Sequence, residues 1–207
     1  MRDAEMNDLF SVPVAQCKLD IDVKEMAKEC LNYSLNNPSI SKSNIGGYQS
    51  DDISNLSWFQ EFSNQLKEEV NRFENHTKCP KTKGLYSWLN INGKRDYNQV
   101  HAHPDGIVSG VFYIQTPKNC GKIVLQHPAL PVLESYWAPY YDEYTKYNSA
   151  SWTFEPEEKM LLLFPSWLMH LVEPNLSDEK RISISFNFNR EKYVRYKRIN
   201  KRTTQKC

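Results

Sequence analysis

The stretch Arg181-Ile182-Ser183-Ile184-Ser185-Phe186-Asn187-Phe188-Asn189 alternates polar and apolar side chains without a break. A helix cannot sort that pattern, because a period of 3.6 scatters the apolar residues around its axis. A strand sorts it completely. Ile182, Ile184, Phe186 and Phe188 share one face, and Arg181, Ser183, Ser185 and Asn187 share the other. A strand with one fully apolar face and one polar face led by arginine fits two settings. It lines an internal cavity, or it faces solvent with a surface Arg. The planar guanidinium matches a carboxylate in two parallel hydrogen bonds, which favours the cavity.

This strand does not stand alone. After Pro80, short β-branched and aromatic runs follow one another: Leu85 to Asn92, Val108 to Gln115, Lys122 to Gln126, Trp152 to Phe154, Met160 to Phe164 and Ile182 to Asn189. Pro, Gly or Asn punctuates most of the gaps, and Asn92-Gly93 marks a turn. Many short strands without intervening helices predict a β-sandwich or jelly roll. Before Pro80 the pattern is helical. Val23, Met26, Ala27, Cys30 and Leu31 recur at helical spacing behind Asp22 and Glu25, which resemble a capping box. Phe59, Phe62, Leu66, Val70 and Phe73 share a face of a second helix over Ser57 to Phe73. Ser41 to Asp52, with Gly46-Gly47, reads as loop. The expected division is a helical elaboration over 1–80, a β core over 81–189 and a basic tail over 190–207.

With 207 residues, 40% of them hydrophobic and 25% charged, the chain can bury a substantial core. No apolar run approaches the length of a membrane span, and Met1 to Asp8 is polar and acidic, so a cytoplasmic protein is expected. The five cysteines are odd in number, widely spaced and form no CxxC pair, which argues against a disulfide framework or a zinc-thiolate site. The net charge of +1 is uneven: Arg190 to Cys207 holds eight Lys/Arg against Glu191 alone. Such a tail fits nucleic-acid or ribosome contact; the favoured reading is a solvated terminus that aids solubility. Pro131 to Ser151 is long and carries Tyr136, Trp137, Tyr140, Tyr141, Tyr144 and Tyr147, so it reads as a binding loop or lid over the site.

Two histidines sit in His101-Ala102-His103-Pro104-Asp105, just ahead of a strong strand. In extended chain, His101, His103 and Asp105 point to one side. A third histidine, His170, follows the apolar run Leu161 to Phe164. Two neighbouring ligands and one distant ligand make a facial set for a divalent metal such as Fe(II), which favours imidazole and carboxylate. Two registers compete. His101 and His103 give three imidazoles with His170, and the spacing to Ser109 favours this set. His103 and Asp105 keep one carboxylate, which offsets the metal's charge. A single histidine at any of these positions is more often structural; the combination carries the reading.

His-x-His, a distal His and Arg-x-Ser eleven residues later resemble the 2-oxoglutarate/Fe(II) oxygenase superfamily. Within it, the chain looks like a bacterial and phage family of 2-oxoglutarate oxygenases. The matching stretches are Gly46-Gly47-Tyr48-Gln49-Ser50, Ser109-Gly110-Val111-Phe112-Tyr113, Leu163-Phe164-Pro165-Ser166-Trp167 and Arg181-Ile182-Ser183-Ile184-Ser185-Phe186-Asn187. The resemblance implies a double-stranded β-helix, with Fe(II), 2-oxoglutarate and O2 as cofactor and cosubstrates. It implies His170 as the distal iron ligand, Arg181 and Ser183 as holders of the far carboxylate of 2-oxoglutarate, and Tyr113 and Ser109 as residues facing the cosubstrate. The implied reaction couples decarboxylation to succinate and CO2 with oxidation of a substrate C–H bond, a prolyl or other amino-acid side chain among the candidates. Where the superfamily usually carries His-x-Asp or His-x-Glu, this chain offers both His101-x-His103 and His103-x-Asp105. The other readings are a cupin-type metal enzyme without 2-oxoglutarate, which Arg181-x-Ser183 argues against, and a non-catalytic binding module on the same fold.

Overall fold

The protein is described by a computed structural model that covers Glu5, residues 7–137 and residues 140–190. The basic tail expected over 190–207, and any partner it has, lies outside the described residues apart from Arg190. In chain order the elements are β1 (Ala15–Lys18), α1 (Val23–Asn36), β2 (Asn44–Ile45), β3 (Tyr48–Gln49), α2 (Gln60–Thr77), β4 (Gly84–Asn92) and β5 (Tyr97–His101). They continue as β6 (Val108–Gln115), β7 (Ile123–Gln126), β8 (Ser151–Phe154), β9 (Met160–Pro165), β10 (His170–Val172) and β11 (Arg181–Asn189). The strands form two antiparallel sheets, one in the order β1-β9-β6-β11-β4-β3 and the other β2-β5-β10-β7-β8. This is the mainly β jelly roll, with helices N-terminal to it, that the short-strand pattern predicts.

The two-residue period explains how one sheet serves two layers. On β11, Ile182, Ile184, Phe186 and Phe188 join the apolar cluster that also contains Met26, Cys30, Phe59, Phe62, Leu66 and Val70 from the helical segment. On β6, Phe112 and Ile114 face that same cluster, while Val111 and Tyr113 face a second cluster with Ile123, Leu125, Leu162 and Phe164. The helices therefore cover the outer face of the six-stranded sheet, and the inner face looks across to the five-stranded sheet. Phe62 marks the seam: it is fully buried, with its ring 4.8 Å from Phe112. Burying each such side chain contributes about 1.5–3 kcal/mol.

The helices start and stop for local reasons. The Asp22 carboxylate accepts hydrogen bonds from the backbone N–H groups of Lys24 (3.0 Å) and Glu25 (3.2 Å), the N-cap its position predicts. Glu25 pairs with Lys28 at 2.7 Å. The second helix opens with a 3-10 turn over Ser57–Phe59 and runs to Thr77, four residues beyond the predicted end. Lys78 then adopts the left-handed conformation at φ 55° and donates to the Glu74 carbonyl. The first 80 residues also supply three short edge strands that sequence did not reveal. Ser41 to Asp52, read as loop, contains β2 and β3, and these join different sheets. The chain crosses from one sheet to the other at Gly46 and Gly47, both with positive φ; a Cβ on Gly46 would overlap the Asp96 carboxylate. β5 and β10 were missed as strands because each is short and mixed in polarity.

Candidate functional site

β5 and β10 pair directly, with His101 opposite His170 in the register. His103 lies two residues past the end of β5, where its N–H donates to the Ser166 carbonyl at 2.8 Å and its own carbonyl accepts from Gly106 at 3.0 Å. That turn swings the imidazole back toward the strand pair. Among the described residues, His101, His103 and His170 form a cluster whose candidate ligand atoms all lie within 4.8 Å of one another. Their ring centroids are 4.3 to 5.1 Å apart. Asp105 does not join them. It sits exposed on the turn, because Pro104 and Gly106 bend the chain before a third residue can point inward. The structure therefore brings the all-histidine register together and leaves out the carboxylate register.

Hydrogen bonds orient two of the three rings. His101 Nδ1 lies 2.7 Å from the Gln99 carbonyl, and His170 Nδ1 lies 2.8 Å from the Leu168 carbonyl. A carbonyl only accepts, so each Nδ1 carries the proton and each Nε2 keeps its lone pair. Burial holds all three imidazoles below their ordinary pKa. Burial, then His101 and Lys42, push His103 down to about 4. Burial and then His101 push His170 down to about 3, against the Leu168 hydrogen bond. At neutral pH all three are neutral, the form that binds a metal. Phe164 packs at 4.9 Å from His170 and Trp88 at 5.5 Å from His103, which limits ring rotation.

Deeper between the sheets, an inner cavity is lined by Trp88, Asn90, Asn92, Asn98, Val111 and Tyr113, with the histidines at one end and Arg181, Ser183 and Ser185 beyond. Arg181 is 1% exposed. Its Nη1 donates to the carbonyls of Cys120, Gly121 and Glu173. Gly121 makes that seat possible: at φ +84°, a Cβ there would press on the Glu173 and Pro174 carbonyls and on Arg181 Nη1 itself. Arg181 Nη2 has no partner, and neither do the buried Tyr113 Oη and Asn90 Oδ1. Among the described residues no carboxylate lies within ion-pairing distance of Arg181. Burial lowers the Arg181 pKa, against Tyr113, Cys120 and Asp96, and burial raises that of Tyr113, against the Arg181 charge. A buried, unpaired guanidinium is costly, so this arrangement is built for an anion.

Of the other residues singled out from sequence, Ser183 lines the inner cavity. Ser109 does not: its hydroxyl lies 2.7 Å from both Ser166 Oγ and Asn187 Oδ1, tying three strand ends together. Among its described residues, the aromatic loop over Pro131 to Ser151 contributes none to the lining of the inner cavity or of the outer one next to it. Asn90, Asn92 and Asn98 were overlooked. Their signal was present, since Trp88, Asn90 and Asn92 alternate with Leu89 and Ile91 on a strand whose position was recognised.

Comparison with known proteins agrees with this geometry. Residues 86–187, from β4 to β11, match a family model described as "Putative 2OG-Fe(II) oxygenase". No protein of curated function matches the sequence. The fold resembles a Pseudomonas putida prolyl-4-hydroxylase, with 14% identity and a TM-score of 0.66, over 89% of this chain and 96% of that one. It also resembles the viral collagen prolyl hydroxylase of Paramecium bursaria Chlorella virus-1 in its 2-oxoglutarate complex: 13% identity, TM-score 0.58, over 86% and 96% of the two chains. HygX from Streptomyces hygroscopicus, with nickel and 2-oxoglutarate bound, matches with 10% identity and a TM-score of 0.58, over 86% and 83%. The donor set fits the two groups such proteins use, three lone-pair nitrogens for a metal and an orphaned guanidinium for a carboxylate. Over residues 86–187, just under half of its length, the chain matches the family of 2OG-Fe(II) oxygenases, enzymes whose cofactor and cosubstrate are Fe(II) and 2-oxoglutarate.

Proposed function

We propose that the protein is a hydroxylase in which His101, His103 and His170 hold Fe(II), and Arg181 with Tyr113 and Ser183 holds the far carboxylate of 2-oxoglutarate. The observation that carries this reading is the unpartnered Arg181 Nη2 beside the unpartnered Tyr113 Oη in a cavity that ends at the three imidazoles. When bound, iron and 2-oxoglutarate supply the oxidising chemistry, with O2 consumed and succinate and CO2 released. The chain's own groups do the positioning. The Gln99 and Leu168 carbonyls fix the protonated Nδ1 of His101 and His170, so their Nε2 atoms stay free for the metal. Three carbonyls hold Arg181 Nη1, so its remaining edge is presented without reorganisation. Phe164, Leu162 and Val111 exclude water from the inner end. The space left between the lining side chains is about 30 Å³, so those side chains move apart when an anion the size of 2-oxoglutarate enters.

The substrate is proposed to be an amino-acid side chain, prolyl or other, reached through the outer cavity that shares Trp88, His101 and His103 with the inner one. The protein is placed in the cytoplasm, a reading supported by its free cysteines at 17, 30, 79 and 120. Among the described residues no helix is long and apolar enough to cross a membrane. The deciding experiment incubates the protein with Fe(II), 2-oxoglutarate and O2 and follows succinate by NMR. Succinate that depends on all three, and disappears in Arg181→Ala, supports the reading. A metal-dependent reaction without 2-oxoglutarate consumption rejects it.

A further inference from the structure

Outside the metal cluster lies a second, larger cavity of about 340 Å³, within the range of small-molecule sites. Its wall holds a polar group that the fold leaves unsatisfied. Gln49, on edge strand β3, is 3% exposed, and its Oε1 has no hydrogen-bond partner. The backbone around it is fully used: Gln49 N–H donates to Ser39 Oγ, and its carbonyl accepts from Ile40. The side-chain oxygen is left over, and Gln49 is among the residues that line the cavity. A buried acceptor of this kind destabilises the fold unless something donates to it.

Two further groups set the character of the cavity. Asn187 has its Oδ1 taken by Ser109, which leaves its Nδ2 as a donor on the cavity wall. Lys42 stands at the mouth with its ammonium 5.5 Å over the Tyr86 ring. Among the described residues no carboxylate pairs with Lys42, and none lines the cavity. The acid on that side, Asp51, is held behind the ring by the Tyr86 hydroxyl at 3.0 Å and the Asp52 N–H at 2.9 Å. The cavity thus offers a fixed cation at its mouth, an acceptor that needs a donor, and an apolar Trp88 wall leading to His101 and His103.

We propose that this outer cavity binds a free α-amino acid, with its carboxylate on Lys42 and its ammonium donating to Gln49 Oε1, so that its side chain extends along Trp88 to the histidines. The assignment rests on reading the inner cavity as the iron and 2-oxoglutarate site. A residue within a peptide chain supplies the N–H for Gln49 but carries no charge for Lys42. That difference separates the two kinds of substrate.

The test uses the full chain loaded with Zn(II), which is redox-inert, and 2-oxoglutarate. Each of the L-amino acids, its C-terminal carboxamide and a terminally blocked tripeptide around the same residue are titrated by calorimetry. At least one free amino acid is expected to bind, and its carboxamide to bind roughly tenfold or more weakly, the effect of one lost charged hydrogen bond. Lys42→Gln, an exposed change that the fold tolerates, should weaken the free amino acid by a similar factor and leave the carboxamide little affected. Gln49→Leu should weaken both, with thermal unfolding checking that it folds. Equal binding of acid and carboxamide, binding of blocked tripeptides alone, or no binding by any amino acid overturns the proposal. If 2-oxoglutarate binds in these samples but no amino acid does, the substrate assignment fails and the enzyme reading stands. If an amino acid binds and 2-oxoglutarate does not, the outer cavity stands as an amino-acid site, while the enzyme reading and the amino acid's role as its substrate fail.

Discussion

Replacing Arg181 with alanine separates the groups proposed to hold 2-oxoglutarate from those proposed to hold iron. The guanidinium is 1% exposed, and its two ends do different work. Nη1 satisfies the Cys120, Gly121 and Glu173 carbonyls, whereas Nη2 is free for a ligand. Losing the first end leaves three carbonyls without their donor, at about 1–3 kcal/mol of stability unless water enters the vacated volume. Losing the second removes a charged contact inside a cavity, worth on the order of 2–5 kcal/mol of 2-oxoglutarate affinity, or roughly 30-fold to several-thousand-fold in Kd. Calorimetric titration of 2-oxoglutarate into Zn(II)-loaded protein reads the affinity, and thermal unfolding reads the stability. Arg181 donates to no metal ligand, so Zn(II) binding should stay within a few-fold of the parent. Arg181→Lys keeps the charge without the planar fork and should fall between the parent and the alanine variant. A folded Arg181→Ala protein that binds 2-oxoglutarate within threefold of the parent refutes the anchor.

The register of the metal site is tested by metal titration: His101→Ala should lose the ion, while Asp105→Ala, altered at an exposed turn, should keep it. Gly121→Ala should weaken 2-oxoglutarate binding without touching the cavity, because the added Cβ meets Arg181 Nη1 and two carbonyls; unchanged affinity in a folded variant would show that the seat is not needed. Burial would raise the Glu74 carboxyl, but hydrogen bonds from Thr82 and Lys81 hold it below its ordinary value. Its stabilisation should therefore be present above the unfolded carboxylate pKa of about 4.3 and be lost as pH falls through the lower folded value. Glu74→Gln should flatten that acid limb in a urea-unfolding series. Phe62→Ala, at the seam between helices and sheet, should cost about 3–5 kcal/mol by the same measurement.

How much of this was legible in the chain depends on how local each signal was. The period of two in β11 and β6 placed both the apolar core and the polar inner face, because strand parity needs no knowledge of the partner strand. Arg181 and Ser183 were found that way, whereas Tyr113 came from the family resemblance and His170 from its place behind the apolar run Leu161 to Phe164. His101 and His103 could be grouped, but the choice against Asp105 rests on a turn closed by Ser166, sixty residues away. Ser109 shares the parity of Tyr113, yet Ser166 and Asn187 capture its hydroxyl before it reaches the cavity. Parity gives a face and not a depth. The edge strands at Asn44 and Tyr48 hold two residues each, too few for any period. The aromatic loop read as a lid on length and tyrosine content, which say only that a segment contacts something; its described residues are not among those lining either cavity.

Charge ties the two cavities together. The inner lining holds one guanidinium, three neutral imidazoles and no acid. Before anything binds, the fold carries a buried cation with no ion-pair partner among the described residues. Strands that place Ile182, Ile184 and Phe186 against the helices supply the stability that makes such a site tolerable, since the core and the site lie on opposite faces of the same sheet. In the proposed metal site all three ligands are neutral imidazoles, so the negative charge that would balance both metal and arginine has to arrive with ligands. A dianion that meets Arg181 at one end supplies most of it. The outer cavity, with Lys42 and no acid in its lining, continues the same sign of potential to the surface. Under the two proposed assignments both cavities select for acids, and a molecule that carries its own carboxylate is favoured at the mouth for the same reason that 2-oxoglutarate is favoured within.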